Sequence, residues 1–331
     1  ICMKTKLDKY FRISQRGSTI GTELIGGATT FATMAYILAY MTGAMSAVPG
    51  IDLTGVLLCT ALITAISCIA MGLVANAPIA LAPVLVIPNL VAGMVASGQA
   101  FGTVAISGIV FLLISVFKLR DLFARSLPKN IKIGIGGAVG LLIASIGLNT
   151  SGLAAAGEDG SFINFSDKSV QLGLIGLAIA LLLTYLKITV NGRTYKIKGA
   201  LLISIVLTTI IGIPMGVTVL PENIFTRGAL ASIGNVAFQV DILGALKLSF
   251  VPFIIMLLIN DFFGTLGTGL AMAGKAGLLD EDGNFPAFGK VFLVDSSATI
   301  LGSLFGITTV SCFAESAAGV ESGSRTGLSN L

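Results

Sequence analysis

Two carboxylic acids in apolar surroundings are the residues of this sequence whose type and position could do chemistry. Asp261 lies near the middle of the apolar stretch Pro252–Thr268, and Glu315 lies in the stretch ITTVSCFAESAAGV. An ionised carboxylate at the depth of a lipid bilayer is costly, so such an acid usually marks a binding site, a proton relay or an ionic partner. Two acids on different spans therefore predict a polar site between them, although polar residues can also serve only to join neighbouring helices.

The composition indicates which elements position these acids. Of the 331 residues, 55% are hydrophobic and 11% are charged, and the mean hydropathy is +0.97. An ordinary soluble domain has about 25% charged residues. The sequence therefore predicts an all-α polytopic protein that spans the lipid bilayer. Its net charge of +4 is too small to indicate a nucleic acid partner.

The sequence offers few groups for metal, redox or enzymatic chemistry. The four cysteines have no CxxC spacing, and histidine is absent. We therefore predict no disulfide framework, no metal site and no cofactor. Histidine is the side chain whose unperturbed pKa lies near neutral pH. Because the sequence has none, any proton coupling must use carboxylates. An intramembrane enzyme is not favoured, since beyond Glu315 and Ser316 no catalytic constellation is present.

Ten apolar spans are predicted along the chain. They cover residues 24–45, 54–74, 78–96, 101–117, 133–148, 170–186, 200–217, 248–273, 291–305 and 308–320. A basic amphipathic helix, Lys4–Gly21, precedes them and is expected on the membrane surface. With the N-terminus in the cytoplasm, 17 of the 20 lysine and arginine residues fall in cytoplasmic segments. This asymmetry predicts a multi-pass protein of the cytoplasmic membrane with a cytoplasmic N-terminus.

Two of the ten spans are interrupted. Span three contains Pro83 and Pro88, and span ten contains the polar residues Ser311 and Glu315. Broken helices at bilayer depth line cavities, often at corresponding positions of two repeats. If a seven-span unit is followed by its inverted copy, span three corresponds to span ten, and the site lies between the two breaks beside Asp261. Such a protein needs fourteen spans, so this chain is expected to be a fragment or to lack part of the second unit.

Five motifs carry a resemblance to a known family. The stretches TELIGGATTFATMAYILAY, ANAPIALAP, INDFFGTLGT, KAGLLDEDG and ESAAGVESGSRTGL resemble the adenine/guanine/hypoxanthine permeases, the AzgA-like branch of the second nucleobase:cation symporter family. The resemblance implies two inverted seven-span repeats with short extended breaks in spans three and ten, of which about ten spans are present here. It also implies a substrate-binding core domain, residues 1–117 and 248–331, and a gate domain, residues 118–247.

The resemblance implies a function and assigns roles to individual residues. The function is secondary active import of purine nucleobases (hypoxanthine, adenine or guanine) with proton symport. Glu315 would accept hydrogen bonds from purine N–H groups, because an ionised carboxylate only accepts. Asp261 would bind substrate or carry the coupling proton, and Glu315 is the second candidate for coupling. The residues expected to complete the substrate site are Phe262, which could stack on the purine, Ser316, Asn89 and Thr33.

The sequence departs from the family pattern at two places. The family usually has a second acid three residues after the first, where this chain has Gly264. Its span-three motif usually ends in asparagine, where this chain has Pro88 and then Asn89 one residue later. These departures leave the preferred purine and the proton coupling open.

Two other functions are compatible with the same fold. One is a transporter of another small nucleobase-like solute or of an anion, as in related sulfate and bicarbonate transporters, although Asp261 and Glu315 would repel an anion. The other is a non-transporting receptor or assembly subunit, which would bind purine without accumulating it. Because relatives often form dimers, the resemblance also implies a homodimer.

Overall fold

The computed structural model describes the larger part of the chain. The described residues are 2–46, 50–84, 98–117, 151–153, 165–190, 193–196, 200–218 and 228–331, with six single positions between 134 and 148. Pro88, Asn89 and most of the predicted fifth span lie outside these residues.

The described residues are mostly helical and form twelve α-helices and four short strands. The helices are α1 Cys2–Phe11, α2 Ile20–Met34, α3 Tyr36–Met45, α4 Leu53–Ala70, α5 Gln99–Val116, α6 Lys168–Tyr185, α7 Ala200–Met215, α8 Ser232–Val236, α9 Ile242–Ala245, α10 Val251–Lys275, α11 Phe288–Leu304 and α12 Ser316–Glu321. The strands are β1 Leu81–Pro83, β2 Lys187–Val190, β3 Arg193–Lys196 and β4 Val310–Cys312. A π-helical turn, Met71–Ala75, extends α4.

Five helical segments of the described chain are long and apolar enough to cross a membrane. They are Ile20–Met45, Leu53–Ala75, Gln99–Val116, Lys168–Tyr185 and Leu248–Lys275. The shorter α7 is also apolar. Their bounds agree within a few residues with six of the predicted spans, namely spans one, two, four, six, seven and eight.

The first predicted span is interrupted in its middle. Helix α2 begins at its cap, where the Thr19 side chain accepts a hydrogen bond from the Thr22 amide. Near its end, the Thr33 hydroxyl lies 2.9 Å from the carbonyl oxygens of both Thr29 and Thr30. Hydroxyls that bond back to helix carbonyls in this way often bend a helix. Helix α2 ends one residue later at Met34, and a second helix starts at Tyr36.

The chain is extended at Pro83 of span three and at Ser311 of span ten, and the two extended segments pair. Strands β1 and β4 are antiparallel, with Leu81 opposite Cys312 and Pro83 opposite Val310. Ser316 reinforces the pair, because its hydroxyl accepts a hydrogen bond from the Ala80 amide at 2.9 Å and lies 2.6 Å from the Phe313 carbonyl. All six strand residues are buried. The two breaks therefore form one element in the interior.

A second sheet lies between the predicted spans six and seven. Strands β2 and β3 pair with Lys187 opposite Lys196 and Val190 opposite Arg193. The β-branched run Ile188–Val190 favours a strand, and the Asn191-Gly192 sequence is typical of two-residue hairpins. The ten predicted spans leave this segment unassigned, although its sequence carries the signal.

Helices pack around the β1–β4 pair. Helix α11 lies along α5, α10 contacts α5 and β4, and α12 packs on α2. Three buried rings join α5, α10 and α11, since the ring centroids of Phe111, Phe262 and Phe292 lie 5.2, 5.3 and 5.9 Å apart. Edge-to-face contacts at these distances stabilise a core beyond its buried area. The interface of α2 and α12 has no room for a side chain at Gly319, whose added Cβ would lie 2.6 Å from the Gly26 carbonyl oxygen.

Candidate functional site

Two acids, Asp261 of α10 and Asp295 of α11, form the first polar cluster of the site, the carboxyl pair. Both side chains are buried, with exposed fractions of 1% and 0%. The Thr299 hydroxyl lies 2.9 Å from Asp261 Oδ2, and the Thr265 hydroxyl donates to Asp295 Oδ2. Asp295 is missing from the residues that the sequence singled out.

The spacing of these residues explains why they meet. Asp261 and Thr265 are four residues apart on α10, and Asp295 and Thr299 are four apart on α11. Residues four apart share one face of a helix. Each helix therefore presents one acid and one threonine to the other, and each threonine binds the acid of the opposite helix. The repeated D-x-x-x-T spacing on neighbouring spans was a signal for this pair.

The carboxyl pair is linked to strand β4. The Thr265 and Ser311 hydroxyls lie 2.8 Å apart. Thr299 lies 2.8 Å from the Val310 carbonyl oxygen and accepts a hydrogen bond from the Val310 amide at 3.2 Å. A hydroxyl has a single proton. Thr299 can therefore donate either to Asp261 or to the backbone of β4, but not fully to both.

The carboxyl pair has few compensating groups. The Oδ1 atoms of Asp261 and Asp295 accept no hydrogen bond from the described residues, and no lysine or arginine of that part of the chain forms a salt bridge with either acid. Two buried carboxylates close together repel each other when both are ionised. The arrangement is therefore suited to hold a proton on one of the two acids.

The second polar cluster surrounds Glu315, which follows β4 and directly precedes α12. The Tyr36 hydroxyl donates to Glu315 Oε1 at 2.6 Å. The Tyr36 ring also lies 6.3 Å from the ring of Phe313. Glu315 and Tyr36 are half-buried. Sequence reasoning missed Tyr36, because a tyrosine in an apolar span is not distinguished by its own pattern from a packing residue.

The remaining predicted site residues differ in their surroundings. Thr33 lies beside Glu315, 3.4 Å from its backbone oxygen, but its hydroxyl also bonds within α2. Ser316 is buried and joins the two breaks. The ring of Phe262 is 6% exposed and lies in the aromatic core, whereas Phe263 is 49% exposed. Asn89 lies outside the described residues.

The structure thus brings Glu315, Thr33 and Ser316 to one end of β4 and Asp261 to its other side. A cavity of about 440 Å³ lies between α2 and α4, and its lining includes Ala80, whose amide binds Ser316. It is lined mainly by apolar residues such as Phe31 and Met34. This cavity does not contain the predicted site acids.

Comparison with known proteins identifies the family. Residues 21–328 match the sequence model of the Permease family (Xan_ur_permease). The chain belongs to this family. The permease is 35% identical over 330 residues to a putative permease of Methanocaldococcus jannaschii, an alignment that covers 97% of this chain and 73% of the relative. The nucleobase permease family predicted from the motifs is confirmed.

Two further relatives have substrates in their names. The permease is 32% identical to the adenine permease AdeP of Escherichia coli K12, over 97% of this chain and 71% of the relative. It is also 32% identical to the guanine/hypoxanthine permease GhxP of Escherichia coli O157:H7, over 98% of this chain and 73% of the relative. These relatives are permeases and not enzymes, and the apolar helices fit an integral membrane protein that crosses the bilayer several times.

Solved structures show a shared fold. The permease resembles SLC26A9 with a TM-score of 0.55 and 13% identity, over 94% of this chain and 52% of the other. It resembles the transmembrane domain of the cyanobacterial bicarbonate transporter BicA with a TM-score of 0.54 and 19% identity, over 94% and 78%. The architecture is therefore of the same general type as in these transporters.

Proposed function

We propose that this permease imports purine nucleobases across the cytoplasmic membrane by proton symport. The observation that carries the proposal is a half-buried carboxylate, Glu315, at the paired breaks of a chain that is 32% identical to permeases named for adenine and for guanine and hypoxanthine. An ionised carboxylate can accept about four hydrogen bonds. Glu315 therefore retains acceptor positions for purine N–H groups beyond the one that Tyr36 fills.

The carboxyl pair is the proposed proton site. When Asp261 is ionised, the Thr299 hydroxyl donates to it. When Asp261 is protonated, its own O–H can donate to Thr299, and the Thr299 proton is then free to bind the Val310 carbonyl oxygen. Protonation at α10 would therefore change a hydrogen bond of β4, the strand that leads to Glu315. This sequence of bonds supplies a physical link between proton and substrate.

The proposed arrangement places the core domain at residues 1–117 and 248–331 and the gate domain at 118–247, within a fourteen-span inverted repeat. The pairing of β1 with β4 supports the repeat, because the breaks meet as corresponding elements would.

Two hydrogen bonds support a cytoplasmic N-terminus. Arg16 donates to the backbone oxygens of Asn76 and Arg325. These three residues lie in segments that the charge distribution assigns to the cytoplasm. A homodimer remains part of the proposal.

The test is uptake of labelled hypoxanthine in cells that lack their own purine carriers, with adenine, guanine, xanthine and uracil as competitors. We expect accumulation that purines block and that a protonophore abolishes. Glu315→Gln should abolish uptake while the protein stays in the membrane. The matched control is Glu321→Gln, because Glu321 is exposed and pairs with Lys275 at the surface.

Other outcomes would contradict the proposal. Purine binding without accumulation would indicate a receptor or an assembly subunit. Uptake of sulfate or bicarbonate without uptake of purine would indicate an anion carrier. If the Glu315→Gln variant takes up hypoxanthine as well as the wild type does, Glu315 is not part of the substrate site.

A further inference from the structure

We propose that Tyr36 determines which purines Glu315 accepts, by filling the Oε1 position with its hydroxyl. The inference rests on the proposed function, because it concerns the same site. Tyr36 is the first residue of α3 and follows the interruption of the first span. Its hydroxyl donates to Glu315 Oε1 at 2.6 Å, a length typical of a charge-assisted bond.

The surroundings of Tyr36 hold this bond in place. The Tyr36 ring lies 6.3 Å from the ring of Phe313, two residues before Glu315. Thr33, one turn before Tyr36, lies 3.4 Å from the Glu315 backbone oxygen. Three contacts thus join the end of α2 and the start of α3 to the segment after β4. The carboxylate therefore has a defined orientation before substrate arrives.

Purines differ in the donors that they present to such a carboxylate. On the edge of its six-membered ring, hypoxanthine presents one donor, N1–H, beside an apolar C2–H, and both purines also carry an imidazole N–H on the opposite side. Guanine has N1–H and, next to it, the C2 amino group. A carboxylate can accept both guanine donors side by side, in the manner of its paired bonds with arginine. Tyr36 fills one of the two acceptor positions of Oε1. The wild-type site therefore gains less from the second donor of guanine than a carboxylate without that bond would.

Removing the Tyr36 hydroxyl should increase the preference of the site for guanine over hypoxanthine. In Tyr36→Phe, Oε1 of the half-buried carboxylate loses its donor. The guanine amino group can replace that donor, whereas the C2–H of hypoxanthine cannot. A charged group left without its hydrogen bond is penalised. Hypoxanthine should therefore lose affinity, while guanine keeps most of its affinity.

The experiment measures inhibition constants of unlabelled guanine and hypoxanthine against uptake of one labelled purine, in wild type and in Tyr36→Phe. We expect the preference for guanine over hypoxanthine to rise about ten-fold in the variant, because only guanine can replace the lost hydrogen bond to the charged Oε1. The ratio of the two constants does not depend on the amount of protein in the membrane. Tyr185→Phe is the matched control, because Tyr185 is 76% exposed at the end of α6 and should leave the ratio unchanged.

The outcomes separate this inference from the proposed function. If the wild type takes up no purine, the proposed function fails, and the role of Tyr36 fails with it. If the wild type takes up purine but the ratio in Tyr36→Phe stays within two-fold, about the scatter of single contacts, only the role of Tyr36 is overturned. Tyr36→Leu, which also lacks the hydroxyl, should shift the ratio in the same direction and serves if Tyr36→Phe is absent from the membrane.

Discussion

The hydroxyl of Thr299 is the smallest group whose removal should disturb both the stability and the coupling of the permease. It is buried, and it lies within bonding distance of Asp261 Oδ2 and of both backbone polar groups of Val310. Thr299→Val keeps the shape of the side chain but removes one donated and one accepted hydrogen bond. Each buried partner left unsatisfied costs about 1–3 kcal/mol. We therefore expect a loss of about 2–6 kcal/mol of unfolding free energy, which is two such terms.

The same substitution elsewhere provides the control. Thr60 is also buried, but its hydroxyl has no hydrogen-bond partner among the described residues. Replacing such a group by a methyl removes an uncompensated polar atom, so Thr60→Val should be neutral or stabilising. Denaturant titration of the purified protein in detergent measures the free energy of unfolding of both variants. Thr299→Ser, which keeps the hydroxyl, should remain near the wild type.

The outcome that refutes the reasoning is equally specific. If Thr299→Val costs no more than Thr60→Val, the bonds between α10, α11 and β4 do not stabilise the protein. Uptake supplies a second observable, because Thr299→Val should weaken proton-driven accumulation more than equilibration of hypoxanthine. Equal losses in both would contradict the proposed link between Asp261 and Val310.

Three further predictions each concern one local contact. Asp295→Asn keeps an acceptor for Thr265 but removes an acid, so hypoxanthine should still equilibrate across the membrane while the effect of a protonophore on accumulation disappears. Gly319→Ala should destabilise the protein by about 1–3 kcal/mol through overpacking, seen as a lower denaturation midpoint in detergent. The pKa of Asp52 is lowered from 3.8 by hydrogen bonds from the Asn235 side chain and the Gly55 amide. Its stabilisation should therefore be present at neutral pH and lost as the pH falls through the acid range, and Asn235→Ala should weaken that loss in unfolding measured between about pH 3 and 7.

Much of the architecture could be predicted because it depends on local composition. Apolar runs gave the bounds of six helices within a few residues, and polar or proline residues indicated where the chain becomes extended. Glu315 was predictable as well, since an acid in an apolar span is conspicuous by itself. Each of these inferences needs only one stretch of sequence.

The contacts between spans could not be predicted in the same way. Asp295 is a site candidate only because α10 and α11 face each other, and Tyr36 only because α3 meets the segment after β4. Phe262 was expected to stack on the purine, yet it lies among buried rings of α5 and α11, because the rotation of α10 about its axis is set by packing. The pair of strands β2 and β3 could have been predicted, because the Asn191-Gly192 sequence after a β-branched run indicates a hairpin.

The pairing of β1 with β4 also determines when the candidate site can form during synthesis. The bond between the Ala80 amide and the Ser316 hydroxyl joins residues that are 236 positions apart along the chain. Such a contact closes a long loop. The chain loses the conformational entropy of loop closure before the contact can stabilise it. A nascent chain that has inserted its first seven apolar segments still lacks half of the strand pair. The candidate site therefore cannot form before span ten has been made, and strand β1 lacks its partner strand until then.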